Sequence, residues 1–164
     1  MGDGSLNMVE FPIDTSKLLQ RVLDWLRPGG IAAFRVFTRP EVDVSEDDVR
    51  EAATSIGWHA FRCWLNMHTA GIHGTNIPSQ RQLEAFDGLF PDRAALCQAT
   101  GWERANIDRT MDAYRTSQNI TSYPKPSEWL SVVPPEAVNA RLLRAGPYEL
   151  SEHYPLLVLY LAIQ

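Results

Sequence analysis

The first half of the chain alternates between a helical pattern and a strand pattern. In DTSKLLQRVLDWLR (14–27), apolar residues recur three and four positions apart, which predicts a helix with one apolar face. Pro28-Gly29-Gly30 follows at once, and these residue types end helices and permit unusual backbone angles. The apolar run IAAFRVF (31–37) then predicts a buried strand. We infer a tight turn between a covering helix and a mostly parallel sheet.

The middle of the chain has a helical pattern. Ser45 and Asp48 have the spacing of a capping box, and the pattern after them predicts one long helix from Glu46 to about Ala70. Shorter helices are predicted at 80–86, 92–100 and 103–115, before the Pro-rich corner YPKPSEW. Residues 45–125 are expected to form a helical insertion or lid within a single domain, residues 1–164.

Two apolar segments close the chain. AVNARLLRAG (137–146) and YPLLVLYLAI (154–163) predict two strands, joined by a polar segment that ends in SEHY. The order of elements is helix, strand, helical segment, strand, strand. This order predicts an α/β fold with an antiparallel element near the end of the sheet.

Composition narrows the class of protein. A chain of 164 residues with 45% hydrophobic residues fits one globular domain. The net charge of -5 excludes a broad basic surface for nucleic acid. LLVLYLAI is too short to span a bilayer, and the N-terminus lacks the pattern of a secretory signal. Cys63 and Cys97 are isolated, so we expect them to be reduced, and we expect a soluble, cytoplasmic protein without a membrane partner.

Four segments together resemble a known family. GDGSLN (2–7), LRPGG (26–30) and RVF (35–37) resemble the second half of class I S-adenosylmethionine-dependent methyltransferases. PYELSEHYPLLVLYLA (147–162) resembles that family's closing hairpin, whose last strand inserts antiparallel between the fifth and sixth strands. The resemblance implies a partial Rossmann-like methyltransferase sheet, consisting of the fifth strand plus the terminal antiparallel hairpin, with a mostly helical insertion.

The cofactor-binding motif of that family is missing. Members of the family bind S-adenosylmethionine with a G-x-G-x-G loop after the first strand and an acidic residue at the end of the second strand. Neither occurs in the 164 residues. By the family's strand count, the chain starts at the end of the fourth strand, so we expect one edge of the strand at 31–37 to be open. We expect cofactor binding only if the N-terminal half is supplied, and a homodimer or a partner chain at the open edge.

Three functions remain open. The first is methyl transfer to an unidentified, small-molecule acceptor, performed as the C-terminal portion of the enzyme. The second is a non-catalytic remnant or interaction module. The third is one half of a split enzyme whose partner binds the cofactor. An in-frame G-x-G-x-G segment upstream in the gene favours the first function, and an upstream stop codon favours the second.

The resemblance implies a cofactor-binding loop at Asp3, Gly4 and Ser5. This loop lies where ligands bind in open α/β sheets, outside the carboxyl end of a strand. In the family it lines the place of methyl transfer. The alternative is a frayed terminal loop without a ligand.

Four residues are candidates for substrate binding. Arg35, a lone charge on a buried strand, either anchors an anionic substrate or pairs with a carboxylate. The helix that contains His59 and Arg62 is either a lid over the substrate pocket, with these two residues as its polar groups, or it packs on the core through Trp58 and its apolar neighbours. Tyr123 lies beside the Pro-rich corner, where it either stacks on substrate or packs.

No residue pattern assigns the chemistry of a reaction. His59 and Cys63 share a helical face, the start of a metal site, but no third ligand occurs at a recognisable spacing. We therefore expect no metal. No nucleophile motif or phosphate-binding loop is present either, so the catalytic residue stays unassigned.

Overall fold

The computed structural model describes residues 2–144 and 146–162, with only the backbone of residues 2 and 3. The helices in this part of the chain are α1 (Ile13–Trp25), α2 (Glu46–Ser55), α3 (Trp58–His73), α4 (Ser79–Leu89), α5 (Arg93–Thr100), α6 (Arg104–Tyr114) and α7 (Pro126–Ser131). The strands are β1 (Gly2–Asp3), β2 (Ile31–Arg35), β3 (Asn76–Pro78), β4 (Ile120–Ser122), β5 (Ala137–Leu143) and β6 (Leu156–Leu161). Short 3-10 turns lie at Ser5–Met8 and Ser151–His153. None of these helices is long and apolar enough to cross a membrane.

The chain divides into two compact units. Unit one contains the described residues up to Glu41 and from Thr121 onward. Unit two is Val42–Ile120, and all its complete elements except the short β3 are helices. The predicted mixed α/β class is thereby confirmed.

Unit one contains a four-stranded sheet in the order β1-β2-β6-β5. β1 is parallel to β2, whereas β6 is antiparallel to both β2 and β5. The predicted terminal antiparallel hairpin is confirmed, but the expectation of a mostly parallel sheet is wrong for the described strands. The reason is that β5 and β6 follow each other without a crossover α-helix among the described residues between them, and parallel neighbours usually need such a crossover.

The core of unit one lies between α1, α7 and one face of this sheet. Leu19 and Leu23 of α1 point into it, as the spacing of the apolar residues predicts. Trp129 of α7 is fully buried, and its ring meets Phe11 edge-on at 5.7 Å. The remaining members of the cluster are Leu6, Ala32, Val36, Val132, Leu157 and Leu159.

The Pro-Gly-Gly turn joins α1 to β2 and also holds the end of β6. Gly29 has a φ of 76°, a left-handed conformation that side chains resist. Gly30 lacks space instead, because a Cβ there would lie 2.7 Å from the backbone oxygen of Arg27. The N–H of Gly29 donates to Leu161 O at 3.1 Å, and the N–H of Leu161 donates to Gly30 O at 3.0 Å. The turn predicted from sequence is therefore also the anchor of the last strand.

The outer edge of the sheet is irregular. β5 lies at this edge, and its pairing with β6 shifts register between Val138 and Arg141. Asn139 at this irregularity has a φ of 55°, which asparagine tolerates better than most residues. Bulges and polar residues at an edge discourage pairing with another chain. This edge is therefore protected.

The long helix predicted from Glu46 is wrong, because two helices occupy this stretch. α2 begins as expected, with the Ser45 and Asp48 side chains forming a reciprocal capping box. It ends at Ser55, and Ile56 and Gly57 both have extended backbone before α3 begins. A β-branched residue followed by glycine is a weak helix-forming pair, which explains the break.

Unit two has its own aromatic core. Trp58 and Phe61 are 6% and 0% exposed, so this face of α3 packs on the core. Trp102 lies 4.8 Å from Phe61 between ring centroids, and Phe86 and Phe90 complete the cluster. A network of ion pairs lies beside these rings, in which the Arg93 side chain is 12% exposed and its aspartate partners are 33% to 55% exposed. Arg93 of α5 forms ion pairs with Asp87 of α4 and with Asp108 and Asp112 of α6, at 2.8 to 3.1 Å.

We predict that both glycines of the turn are required for stability, for different reasons. Gly29→Val should lower the free energy of unfolding by about 1–3 kcal/mol because of the left-handed backbone, and Gly29→Asn should cost less. At Gly30 even alanine should be costly, because the first carbon of the side chain already clashes. Denaturant melts measure these effects, with Gly88→Ala, an open position in α4, as the control. Melts of the Gly29 and Gly30 variants that match the parent would contradict this account of the turn.

We also predict self-association through β2. β1 pairs only with Phe34 and Arg35, and no described strand lies beside Ile31–Ala33 on that side. Ile31 is 58% exposed, and such an apolar edge accepts another strand. Light scattering after size exclusion should show a mass that rises with concentration. Ile31→Lys should reduce this rise, whereas Ile72→Lys, on the exposed end of α3, should not. A monodisperse monomer at every concentration would refute the prediction.

Candidate functional site

Two loops of unit one meet at the carboxyl end of β2. The N–H of Gly4 donates to Arg35 O at 2.8 Å, which ties the N-terminal turn to this end of the strand. On the other side, Val36 N donates to Pro155 O at 3.0 Å, and Thr38 N donates to His153 O at 2.9 Å. The backbone after β2 thus positions both the N-terminal turn and the segment that leads into β6. Ligands bind at such strand ends in open α/β sheets.

A buried asparagine fixes the loop after β2. Asn7 is fully buried, and its Oδ1 accepts from Phe37 N at 2.9 Å. Its Nδ2 donates to Phe37 O at 3.0 Å and to Ser122 O at 2.6 Å. The Ser122 hydroxyl in turn donates to Val9 O at 2.7 Å. One amide side chain therefore bonds three backbone groups, of which Phe37 O also accepts from Trp129 Nε1 at 3.1 Å.

An aromatic cluster surrounds Phe37. The Tyr123 ring stacks on Phe37 with 5.6 Å between centroids, and Tyr154 meets Phe37 edge-on at 4.8 Å. Gly4 contacts the same ring, because a Cβ on Gly4 would lie 3.0 Å from Phe37 Cζ. Gly4 also has a φ of 65°, so a side chain there would be strained as well as crowded. The small residue in the N-terminal turn leaves room for the aromatic cluster.

Arg35 extends this cluster toward the C-terminal segment. Its guanidinium lies 5.1 Å from the centroid of the Tyr148 ring, within the range of a cation–π contact. The Tyr148 hydroxyl donates to Tyr154 O at 2.6 Å. The structure therefore brings three predicted site residues, Gly4, Arg35 and Tyr123, around one aromatic cluster. Their role in binding stays a prediction.

The other predicted site residues do not belong to this cluster. Ser5 is exposed at the start of the first 3-10 turn, and the side chain of Asp3 lies outside the described part of the chain. His59 and Arg62 are in unit two, in the first turns of α3. There the Nη2 of Arg62 lies 3.3 Å from Nδ1 of His59.

His153 is a titratable group at this site that the sequence did not single out. Burial lowers the pKa of the imidazole, and the nearby carboxylate of Glu152 opposes this shift only in part. The neutral ring is therefore favoured in the folded protein. A neutral imidazole can accept a proton from a bound substrate.

Sequence reasoning also missed Asn7, Phe37, Tyr148 and Tyr154. The aromatic and histidine content of PYELSEHY was a usable signal, but we interpreted this segment only as a connection between strands. Asn7 gave no signal, since an isolated asparagine does not reveal its distant partners. Within the described ranges, no group of three or more histidine, cysteine or acidic side chains is placed to hold a metal ion.

Comparison with known proteins identifies no relative: no family model, curated protein or solved structure matches this chain.

We predict that Asn7→Ala strongly destabilises the protein. The substitution removes the side-chain acceptor of the Phe37 N–H and the amide donor to Phe37 O and Ser122 O, so the loss should be at least about 2 kcal/mol. The matched control is Asn119→Ala, which removes an exposed amide and should change stability little. Thermal and denaturant melts measure the loss of stability caused by each substitution. Equal effects of the two substitutions would show that the Asn7 amide bonds are not needed.

The lowered pKa of His153 predicts a pH dependence of stability. The unfolded imidazole takes up a proton as the pH falls through its ordinary pKa of about 6.5, while the folded state resists protonation. His153 thus costs stability as the pH falls below about 6.5. The melting temperatures of the parent and of His153→Gln, measured at the same pH, should differ more and more as the pH falls below about 6.5. The melting temperature of the parent should fall further. His73→Gln, at an exposed position, is the control. Parallel profiles for parent and His153→Gln would contradict the prediction.

Proposed function

We propose that this chain is the C-terminal portion of a class I S-adenosylmethionine-dependent methyltransferase and acts on a small-molecule acceptor. The observation that supports this proposal is the order of strands. β6, the last strand, lies antiparallel between β2 and β5, while β1 is parallel to β2. This is the arrangement that the sequence resemblance implies for the fourth to last strands of the family's Rossmann-like sheet.

The residues present do not by themselves fit the cofactor. The 164 residues contain neither a G-x-G-x-G loop nor a ribose-binding acid after a second strand. At the carboxyl end of β2, the Gly4 N–H is already bonded to Arg35 O and its Cα faces the Phe37 ring. Cofactor binding in this proposal requires a Gly-rich segment from elsewhere, on the same polypeptide or on a partner chain.

The chain's own part in the proposed reaction is to position the acceptor. Tyr123, Phe37 and Tyr154 offer aromatic surfaces, and Arg35 offers a positive charge beside them. Holding an acceptor in line with a reactive methyl group supplies much of the rate in such a reaction. Asp3, Gly4 and Ser5 are the proposed contacts on the cofactor side.

A non-catalytic interaction module is the second candidate. It is favoured by the partly uncovered edge of β2, where Ile31–Ala33 has no described strand on the β1 side. In that case a partner strand would bind there without any methyl transfer. The two functions differ in whether completion of the sheet creates a cofactor site.

Titration calorimetry with S-adenosylmethionine tests the proposed enzyme. The 164-residue chain alone should bind weakly or not at all, and the chain completed by a Gly-rich segment encoded in frame upstream, or by a co-purifying partner, should bind. In the completed protein, Asp3→Asn should weaken binding, whereas Asp24→Asn, on the exposed face of α1, should not.

Two results would contradict the proposal in different ways. Micromolar binding by the chain alone would show that the missing elements are dispensable. A folded, completed protein that binds no S-adenosylmethionine would leave the interaction module as the better account.

A further inference from the structure

The first turn of α3 presents hydrogen-bond donors without acceptors in the described part of the chain. α3 is 16 residues long, and Gly57 at its N-cap provides no side-chain acceptor. The first turn also contains no acidic residue. Its backbone N–H groups have no partner within the helix, and the N-terminus of a helix carries a partial positive charge.

A buried indole at the same place lacks an acceptor as well. Trp58, the first residue of α3, is 6% exposed, and its Nε1–H has no hydrogen-bond partner among the described residues. Trp58 is the first residue of α3, so this unpaired donor belongs to the first turn, and its ring packs against Phe61, Phe86 and Trp102 with centroids 5.3 to 5.8 Å away. Native proteins seldom leave a buried donor unpaired.

Arg62 adds a positive charge to this turn. It follows Trp58 by four residues and therefore shares its face of the helix. Its guanidinium reaches back over the first turn, since Nη2 lies 3.3 Å from Nδ1 of His59. Its Nε is buried and has no hydrogen-bond partner among the described residues. Two buried side-chain donors thus accompany the backbone N–H groups at one end of one helix.

We propose that the first turn of α3 binds an oxyanion, either a phosphate or a carboxylate group. The guanidinium of Arg62 supplies a charge-assisted hydrogen bond, the indole of Trp58 supplies a neutral one, and the helix N-terminus favours the negative charge. All of these groups belong to unit two. The inference goes beyond methyl transfer and does not depend on it.

The neighbouring Trp102 ring offers a competing explanation. Its centroid lies 5.3 Å from that of Trp58 with the planes tilted by 60°, a geometry in which the indole N–H can meet a π face. Such a contact would satisfy Trp58 without a ligand. It would give the Nε of Arg62 no acceptor, and it would not respond to added anions.

Nuclear magnetic resonance of the isotope-labelled full chain distinguishes these explanations. The five tryptophans give five indole N–H signals, and Trp58→Phe assigns the relevant one. Inorganic phosphate or acetate is titrated against chloride at constant ionic strength and neutral pH. The Trp58 signal should shift saturably with at least one of the two anions, and the anion that acts identifies the ligand group.

Matched arginine variants test the role of the charge. Arg62→Gln should raise the apparent Kd about tenfold or more, and Arg62→Lys should recover part of the affinity. Arg109→Gln, on the exposed surface of α6, should bind as the parent does. No oxyanion site exists at this turn if neither anion shifts the Trp58 signal saturably. The same conclusion follows if the anion shifts this signal in Arg62→Gln with the same apparent Kd as in the parent. Should Arg62→Gln fail to fold, the parent titration alone decides.

Discussion

The antiparallel pairing of β2 with β6 is the constraint on which unit one depends. It joins segments from opposite ends of the chain, from Ile31 opposite Tyr160 to Arg35 opposite Leu156. The hydrogen bonds continue beyond both strands, through Gly29 and Gly30 at one end and through Val36 and Thr38 at the other. Because Phe37 and Tyr154 lie on these extensions, the candidate site is positioned by the same pairing that closes the core.

Stability and proposed function therefore share their residues in unit one. Asn7 bonds both backbone groups of Phe37, and Phe37 lies against Tyr123 and Tyr154. A buried amide adds little net stability when it is satisfied, but its loss is expensive because its partners stay buried. Variants of this cluster thus have to be compared at equal folded fraction before an effect on binding is assigned.

Unit two is stabilised by different means. Its aromatic rings form a core of edge-on and tilted contacts, and Arg93 is surrounded by three aspartates from two helices. Burial of a guanidinium is costly unless charge and hydrogen bonds compensate for lost water, and here three carboxylates do so. Arg93 thereby links α4, α5 and α6. The first turn of α3 contrasts with it, since its buried donors have no such compensation among the described residues.

Local rules explain what the sequence alone determined. Hydrophobic periodicity and the residues that start and end helices predicted the α/β class, the turn at Gly29, the capping box at Ser45 and the terminal hairpin. Each of these features depends on residues close together in the chain. The same rules could have predicted the break between α2 and α3 at Ile56. It was missed because the helical pattern is strong on both sides of it.

Only the tertiary structure decided how distant segments meet. The bonds from Asn7 to Phe37 and Ser122, and the gathering of Gly4, Arg35 and Tyr123 around one aromatic cluster, join residues far apart in sequence. Hydrophobic periodicity tells which face of an element is buried, but not which element will cover it. An isolated polar residue such as Asn7 likewise gains its role from partners that the fold brings to it, because a buried amide must be satisfied wherever it lies.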